Sequence, residues 1–256
     1  MKVQILKKAV VITPTIGSNK LVAAIKSVQN QTYKNIEHLV VIDGEKFASK
    51  FFEVLRTIDN IPTNLKHTEC PYNTGANGFY GHRIYAAYPH LIDADYILFL
   101  DEDNWFDPNH VESLIERLEK DDLDFSFSLR TIYDEKQNTY IEDNCESLGV
   151  YPIWFTENRS SPYTPQYLID TSSFCFKRDF IVRTCHYWHS GWGGDRRYLA
   201  LIKHTIPNLK FACSNKHTLM YRLDGNDNSV KFDFFIQGNK AQTEKYGNIL
   251  PWQKQI

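Results

Sequence analysis

The sequence predicts an α/β protein whose central, mostly parallel sheet is flanked by helices. Short apolar segments alternate with amphipathic helical segments through the first half of the chain. This order implies right-handed crossovers between parallel strands. The apolar run 96–100 then ends in three consecutive acids, 101–103, which is typical of a buried strand with a polar site at its carboxyl end.

The elements of the first half follow from this alternation. Short apolar segments with polar borders predict strands at 8–13, 36–43, 65–69 and 95–100. Apolar residues at helical spacing predict helices at 19–31, 46–58, 78–88 and 110–120. Asp107 and Pro108 resemble the N-cap and first residue of the last of these helices.

The second half has a different pattern. Alternation of apolar and polar residues over 124–134 predicts a half-buried strand, followed by a turn and a second strand. The stretch 144–166 reads as a long loop, and 167–180 as a strand that runs into a helix ending near His186. A turn then opens a helix within 189–204. Two short segments follow, at 210–214 and 217–223, and the chain from Gly225 onward is polar and unassigned.

Composition excludes several classes of protein. The chain has 256 residues, 42% of them hydrophobic, and a net charge of −2, so there is no footprint of a nucleic-acid-binding protein. The 14% aromatic content fits ring-shaped ligands and an aromatic core equally well. Five cysteines without close pairing indicate a reducing compartment. No apolar run is long enough for a signal peptide or a membrane span, so we expect a cytoplasmic protein, free or peripheral at the inner face of a membrane.

The acidic cluster indicates a binding site. Capping of the following helix accounts for Asp107 alone. In an extended chain, Asp101 and Asp103 point the same way about 6 to 7 Å apart. Such like charges are tolerated when they are solvated, or when a cation or a hydroxylated ligand lies between them.

Three segments, taken in this order, resemble the inverting nucleotide-sugar transferases of glycosyltransferase family 2, which have the Rossmann-like GT-A fold. They are "VVITPTIGSNKLVAAIKSVQNQTYKNIEHLVVIDG" at 10–44, "NTGANGFYGHRIYAAYPHLIDADYILFLDEDN" at 73–104, and "WGGD" at 192–195. The resemblance spans roughly residues 8–205. It implies a GT-A domain at 1–215, with a nucleotide-sugar half at 1–105 and a smaller acceptor half at 106–215, and a C-terminal extension at 216–256.

The resemblance also implies a donor site and a metal site. The implied donor-binding residues are Thr13, Pro14, Thr15, Asp43, Asn77, Arg83, Asp101 and Glu102. Arg83 would hold the phosphates or Asp101, unless it is a solvated arginine on a helix. Asp103 would bind Mn²⁺ or Mg²⁺, as in a DXD motif, because hard oxygen ligands suit these cations. His217 is a candidate for an additional ligand, and its alternative is a packed or exposed histidine.

On the acceptor side, Asp195 matches the position of the catalytic base. Its alternative is an N-cap of the helix that follows. The family often has a glutamate where this chain has Gly194, which leaves the register of the base open. Acceptor contacts are implied for Trp192, Gly193, Gly194 and Asp170. His186 and His189, near Trp188, either line the acceptor site or pack the loop.

The expected activity is therefore metal-dependent transfer of a sugar from a nucleotide sugar, by default a UDP-sugar. The acceptor would be a saccharide or a lipid-linked saccharide in surface polysaccharide biosynthesis. A dinucleotide-dependent oxidoreductase is disfavoured because no G-x-G-x-x-G follows the first strand, and a nucleotidyltransferase because the phosphate loop is missing. A non-catalytic nucleotide- or carbohydrate-binding protein of the same fold remains the alternative.

Overall fold

The computed structural model describes residues 6–156, 165–223 and 230–253. Within these residues the strands are β1 Ala9–Thr15, β2 Ile36–Ile42, β3 Leu65–Glu69, β4 Tyr96–Phe99, β5 Trp105–Phe106, β6 Phe125–Asp134, β7 Thr139–Glu142, β8 Phe174–Lys177 and β9 Phe211–Leu223. The helices are α1 Leu21–Gln29, α2 Ala48–Arg56, α3 His82–Ala87, α4 His110–Lys120, α5 Arg178–Thr184, α6 Gly194–Thr205 and α7 Phe232–Tyr246.

One sheet collects the strands in the order β3-β2-β1-β4-β8-β6-β9-β5, with β7 paired to β6. The four strands of the first half are parallel, as the sequence predicts, and Ile12 of β1 pairs with both Leu39 and Phe99. From β8 onward the sheet is mixed, because β8 runs antiparallel to β4 and β6, whereas β9 is parallel to β6. The carboxyl ends of β1, β2 and β4 therefore meet at one edge of the sheet.

Hydrophobic cores cover both faces of the sheet. Along β1, Ala9 and Val11 face the core formed with α1, α2 and α4, and Val10 and Ile12 face the core formed with α3, α5 and α6. This two-sided burial explains why the parallel strands read as continuous apolar runs.

Much of the aromatic content belongs to the second of these cores. Trp188 is fully buried and stacks on Tyr198 with ring centroids 4.4 Å apart. Tyr85 stacks on Phe99 at 4.2 Å. Trp188 is therefore a core residue and not part of a saccharide surface.

Several local predictions are wrong. Helix α4 begins at His110 after Asn109, and Asp107 accepts the His110 N–H only through its backbone carbonyl, at 3.0 Å. Strand β6 is buried on both faces over most of its length rather than half-buried, because β8 and β9 flank it and helices cover it. The two segments predicted after residue 209 form the single strand β9, whose pairing with β6 is irregular between Phe127 and Arg130.

The C-terminal region contains more structure than its polar sequence suggests. Helix α7 follows β9 and packs through Phe235 against a cluster that includes Ile132 and Cys145. Strand β9 runs through residue 215, where the sequence places the start of an extension, so that division stays a prediction. Residues 157–164 of the predicted long loop, and 224–229 and 254–256 of the unassigned segment, lie outside the described residues.

None of the helices in the described ranges combines the length and the apolar character that crossing a membrane requires.

Candidate active site

The three acids after β4 lie in a turn. The Asn104 N–H donates to the Asp101 carbonyl oxygen at 3.1 Å, so the chain reverses directly after the strand. The expectation that residues 101–103 continue in the extended conformation of the strand is therefore wrong, although the predicted strand does end just before them. The turn directs Asp101 toward α3 and Glu102 toward the loop after β1, and each acid has its own environment.

Asp101 is held between two elements. The Tyr85 hydroxyl of α3 donates to Asp101 Oδ1 at 2.8 Å, and the Asp101 N–H donates to Ser172 Oγ at 3.0 Å. Burial, together with the negative charges of Asp103 and Asp170, raises the pKa of Asp101 to about 8. An added positive charge would stabilise the ionised form of this carboxyl group.

Glu102 fixes the loop that follows β1. Its Oε2 accepts the Thr15 hydroxyl at 2.5 Å and the Ser18 N–H at 3.1 Å. Thr13 lies deeper, where its hydroxyl is 2.8 Å from His38 Nε2 in the core. Pro14 lies so close to Gly81 that a Cβ on that glycine would be 2.6 Å from Pro14 Cγ. These residues shape one wall of the site.

Asp43, at the carboxyl end of β2, holds a second loop. Its Oδ1 accepts the Thr74 N–H and the Thr74 hydroxyl, each at 2.7 Å, and its Oδ2 accepts the Gly75 N–H at 2.8 Å. A Cβ on Gly75 would lie 2.2 Å from the Tyr80 carbonyl oxygen, so only glycine fits there. Asp43 is 3% exposed, and its predicted contact with the nucleotide stays a prediction.

Asn77 lies in this loop, and Arg83 lies in the first turn of the helix α3 that follows it. The Arg83 guanidinium lies over the Phe79 ring, with Cζ 3.5 Å from the ring centroid, and its Nη1 donates to the Thr74 carbonyl at 3.2 Å. The hydrogen bond to Asp101 comes from Tyr85 rather than Arg83. Asn77 is exposed in a left-handed conformation with φ 61°. The predicted contact of Arg83 with the phosphates stays a prediction.

The two predicted metal ligands lie at different places on the sheet. The Asp103 carbonyl accepts Arg222 Nε at 3.0 Å, near the end of β9. His217 is five residues earlier on that strand, roughly 15 Å away along an extended chain, and its Nδ1 is 3.6 Å from Glu142 Oε1. Burial lowers the pKa of His217. His217 as a metal ligand stays a prediction.

The acids fit a cation that is shared with a ligand. No group of three or more His, Cys, Asp or Glu side chains in the described parts of the chain is arranged to enclose a metal ion. Mg²⁺ in enzyme sites is commonly held by one or two carboxylates together with substrate phosphates, not by a cage of protein ligands. The hard oxygen of Asp103, beside an Asp101 carboxyl group whose charge is destabilised, suits that kind of binding.

Asp195 lies in the first turn of α6. The residue before the helix is Gly193, in a left-handed conformation with φ 73°, so the alternative that Asp195 is the N-cap is wrong. Its Oδ1 accepts the Arg196 N–H at 2.7 Å. Burial and the negative charge of Asp170 raise the pKa of Asp195 to about 6. A carboxylate with this pKa is ionised at neutral pH and can accept a proton.

The loop before α6 is joined to the loop after β3. His82 Nδ1 lies 2.7 Å from the Ser190 carbonyl oxygen, and a Cβ on Gly194 would be 2.6 Å from that imidazole ring. The exposed His189 stacks on Phe79 with centroids 5.7 Å apart. Trp192 is 76% exposed, which suits stacking on a sugar. The predicted acceptor contacts of Trp192, Gly193 and Gly194 stay predictions.

Sequence reasoning missed part of the support of the site. Asp170, whose contact with the acceptor stays a prediction, is 4% exposed, and its Oδ2 accepts from Arg130 Nη1 at 2.7 Å. Arg130 was not among the predicted residues. Arg130 also bonds Asp143 and Glu146. An arginine inside an otherwise buried strand is a signal that the sequence offers, whereas Glu146 lies in a loop that has no distinguishing pattern.

The acids form an electrostatically coupled site at the carboxyl edge of the sheet. Asp103, Asp170 and Asp195 each contribute to raising the pKa of Asp101. Asp101 and Asp103 follow β4, Asp170 precedes β8, and Asp195 belongs to α6. Such a site can combine cation-assisted binding of phosphates with proton transfer at a separate carboxylate.

Solved structures of S. aureus TarS have a similar fold. The chain superposes on S. aureus TarS 1–349 in complex with UDP-GlcNAc with a TM-score of 0.60 and 14% identity, covering 93% of this chain and 66% of that one. For the complex with UDP, the TM-score is 0.59 at 16% identity, with coverages of 84% and 60%. Identities this low show the fold alone, and the GT-A fold expected from the sequence is confirmed.

Sequence comparison identifies the family. The chain is 28% identical over 139 residues to glycosyltransferase GlyA of Streptococcus pneumoniae serotype 4, which covers 52% of this chain and 18% of that protein. The chain thus matches less than a fifth of the length of this relative. The family model for Glycosyl transferase family 2 matches residues 10–184. Because that match covers more than half of the sequence, the chain belongs to glycosyltransferase family 2.

Proposed function

We propose that the chain is a metal-dependent inverting glycosyltransferase that moves a sugar from a UDP-sugar to a saccharide or lipid-linked saccharide acceptor. The observation that carries this proposal is the electrostatic coupling of Asp101, Asp103, Asp170 and Asp195 at the carboxyl edge of the sheet, in a chain of family 2. The similarity of the fold to TarS in complex with UDP and UDP-GlcNAc supports the choice of a UDP-sugar. We assign the reaction to surface polysaccharide biosynthesis.

The donor lies, in this proposal, between the loop after β1 and the loop after β3. Glu102 fixes the first loop through Thr15, and Asp43 fixes the second through Thr74. Both carboxylates already accept hydrogen bonds from the protein, so their effect on the donor is to keep these two loops in place. Arg83, in the first turn of α3, would then face the phosphates, and Asn77, in the second loop, would face the nucleoside.

Asp103 would hold the divalent cation. When bound, the cation compensates the negative charge that develops on the departing diphosphate. Asp101 stays oriented by Tyr85 and Ser172 and supports the geometry of the turn that presents Asp103.

Asp195 acts as the general base. Its carboxylate removes the proton from the acceptor hydroxyl while that oxygen attacks the anomeric carbon, on the face opposite the departing phosphate. One displacement inverts the anomeric configuration, and NMR of the product linkage tests this. The raised pKa of Asp195 strengthens it as a proton acceptor, and because a pKa of about 6 is still below 7, most of the carboxyl group is ionised at neutral pH.

The test is a comparison of the wild-type chain with Asp195→Asn. Turnover is measured over a panel of UDP-sugars with Mn²⁺, as transfer and as hydrolysis, together with the melting temperature and UDP affinity of the same preparations. We expect the variant to keep its stability and UDP affinity and to lose roughly a hundredfold to ten-thousandfold in kcat.

Two outcomes would contradict the proposal. Turnover of Asp195→Asn within a few-fold of the wild type would remove Asp195 as the base. Tight UDP binding without turnover of any sugar by the wild type would favour the non-catalytic binding protein of the same fold.

A further inference from the structure

Arg130 is the centre of a buried ion-pair cluster. Its side chain is 3% exposed, and three of its nitrogens each bond a different carboxylate: Nε bonds Asp143 at 2.7 Å, Nη1 bonds Asp170 at 2.7 Å, and Nη2 bonds Glu146. The Tyr221 ring lies 4.5 Å from its guanidinium carbon. A guanidinium held by directional bonds on three sides has a fixed position, and it fixes the carboxylates in turn.

The cluster extends to α6 through Glu146. Three carboxylates surround one guanidinium, so Arg130 alone leaves negative charge in excess. Arg196 supplies a second cation, since its Nη2 lies 3.3 Å from Glu146 Oε1. Glu146 is only 4% exposed, and its two oxygens therefore connect the fixed guanidinium in β6 to the first turn of α6.

Arg196 directly follows Asp195. Its backbone N–H donates to Asp195 Oδ1 at 2.7 Å, and its guanidinium carbon lies 5.6 Å from the centroid of the Trp192 ring. A movement of the Arg196 side chain therefore changes both the charge near Asp195 and the surroundings of Trp192.

We propose that Glu146 is a positioning residue for Asp195. Arg130 fixes the Glu146 carboxylate, and Glu146 in turn acts on Asp195 through Arg196. This inference rests on the proposed function only in taking Asp195 as the base. Glu146 itself touches no reacting atom in this scheme. Its part is to hold Arg196 away from the Asp195 carboxylate, so that this carboxylate stays available to the acceptor.

The charges around Asp195 act in opposite directions. Asp170 and Glu146 raise its pKa, and Arg196 lowers it. Asp101 lies across the site with its own raised pKa. His82, packed against Gly194, has a pKa lowered by burial, which favours its neutral form. Removing the charge of Glu146 should therefore lower the pKa of Asp195, and removing the charge of Arg196 should raise it.

The experiment uses Glu146→Gln, Arg196→Gln and the double variant. Glutamine keeps the size of Glu146 and an oxygen for Arg130, which retains Asp143 and Asp170 as partners. The control is Glu37→Gln, because the wild-type Glu37 carboxylate pairs with Lys8 at 3.3 Å near the amino ends of β1 and β2, away from Asp195. The pKa of Asp195 is followed by carbon-13 NMR of its carboxyl group without donor or metal, and the pH dependence of kcat is measured in parallel.

We expect the Asp195 pKa to fall in Glu146→Gln, to rise in Arg196→Gln, and to lie between these values in the double variant. The acid limb of the kcat profile should move in the same directions, and kcat of Glu146→Gln at its optimum should fall roughly tenfold to a hundredfold through misplacement of the base. If Glu146 and Arg196 had a purely structural role, their variants would lower the melting temperature but would not shift the Asp195 pKa in opposite directions.

Each outcome separates the two proposals. An unchanged Asp195 pKa in folded Glu146→Gln overturns the positioning role, whatever the turnover. If the variants show the pKa shifts but the wild type transfers no sugar, the electrostatic link between Glu146, Arg196 and Asp195 stands and the proposed activity is refuted. Equal effects of Glu146→Gln and Glu37→Gln also overturn the inference.

Discussion

Three neighbouring acids, Asp101, Glu102 and Asp103, have different surroundings within one turn. Asp101 is oriented by Tyr85, Glu102 holds the loop after β1, and the Asp103 backbone is bonded to Arg222. The division follows from the reversal of the chain after β4, which separates side chains that an extended strand would place on common faces. Residue roles in this motif therefore depend on the turn as well as on composition.

The first prediction concerns Asp103 and the metal. In the wild type, Mn²⁺ should strengthen UDP binding roughly tenfold or more, because the cation links the carboxylate to the phosphates. Asp103→Ala should bind UDP with an affinity that no longer depends on the metal. Isothermal calorimetry with Mn²⁺ or with a chelator measures all four combinations.

The matched control is Asp93→Ala, an exposed acid just before β4 at the opposite edge of the sheet. It should retain the full effect of the metal. If Asp103→Ala retains the same gain from Mn²⁺ as the control, the metal assignment is wrong.

The second prediction concerns two histidines that burial keeps neutral. Burial lowers the pKa of His38 and of His110 from 6.5 to about 3. The unfolded chain takes up protons below pH 6.5 while the folded chain does not, so stability is fully present above that pH and is lost as the pH falls toward 3. The loss approaches roughly 1.4 kcal/mol per pH unit for each histidine.

Urea unfolding at several pH values between 7.5 and 5 measures this dependence. The double variant with His38→Gln and His110→Gln should have a flatter profile, and His204→Gln, at an exposed position, should follow the wild type. Parallel profiles for the wild type and the double variant would show that these histidines do not control acid stability.

At the scale of elements, α7 is part of the support of the site. The Phe235 ring lies 5.6 Å from the guanidinium carbon of Arg130, and Asn239 receives the Asn144 N–H at 2.9 Å. Asp143 directly precedes Asn144, and Glu146 follows it by two residues. A helix that follows the last strand thus closes the buried cluster beside Asp195.

The third prediction concerns Gly238, which lies in the middle of α7. Alanine normally stabilises a helix by about 1 kcal/mol relative to glycine. At Gly238, however, a Cβ would lie 2.5 Å from Cys145 Sγ and 2.7 Å from Trp154 Nε1. Gly238→Ala should therefore destabilise the protein by roughly 1 to 3 kcal/mol through overpacking.

Denaturant unfolding checks the sign of this effect. Gln237→Ala, one residue earlier at an exposed position, should be close to neutral. Adding Cys145→Ala to Gly238→Ala should restore part of the stability, because it removes the sulfur atom that the new methyl group meets. Stabilisation by Gly238→Ala alone would contradict the close packing of α7.

At the scale of the whole molecule, the site joins the two halves of the sheet. Asp101 follows β4 of the parallel half, and Ser172, which it contacts, lies just before β8, where the sheet becomes mixed. Both hydrophobic cores include residues of β4 and β8, so the halves share their interior. We therefore expect a ligand bound at this edge to stabilise both halves together.

The fourth prediction is that UDP with Mn²⁺ stabilises the whole chain in one transition. At a ligand concentration about 100 times Kd, the expected gain is roughly 2.7 kcal/mol, or about 5 to 10 °C in Tm for a chain of this size. Calorimetry should show one peak that moves as a unit. Two peaks, of which only one responds to UDP, would indicate halves that unfold separately.

The sequence was sufficient for the parts of the fold that local pattern controls. Strands β1 to β4 and the helices between them were predicted because each has its own period and its own polar borders. The acids after β4 were predicted to form a site for the same reason, since an apolar run with an abrupt charged end is visible within a few residues, and this assignment stays a prediction. The predicted helix bounds differ at their ends, where 3₁₀ turns flank α2 and α3.

The tertiary structure alone decided how residues that are distant in the chain combine. Arg130, Glu146 and Arg196 come from a strand, a loop and a helix, and no local period relates them. The burial of β6 on both faces, the continuity of β9 and the packing of α7 likewise depend on neighbours far along the chain. Local pattern records the environment of one segment, whereas a buried ion pair forms only where the fold excludes water from several segments at once.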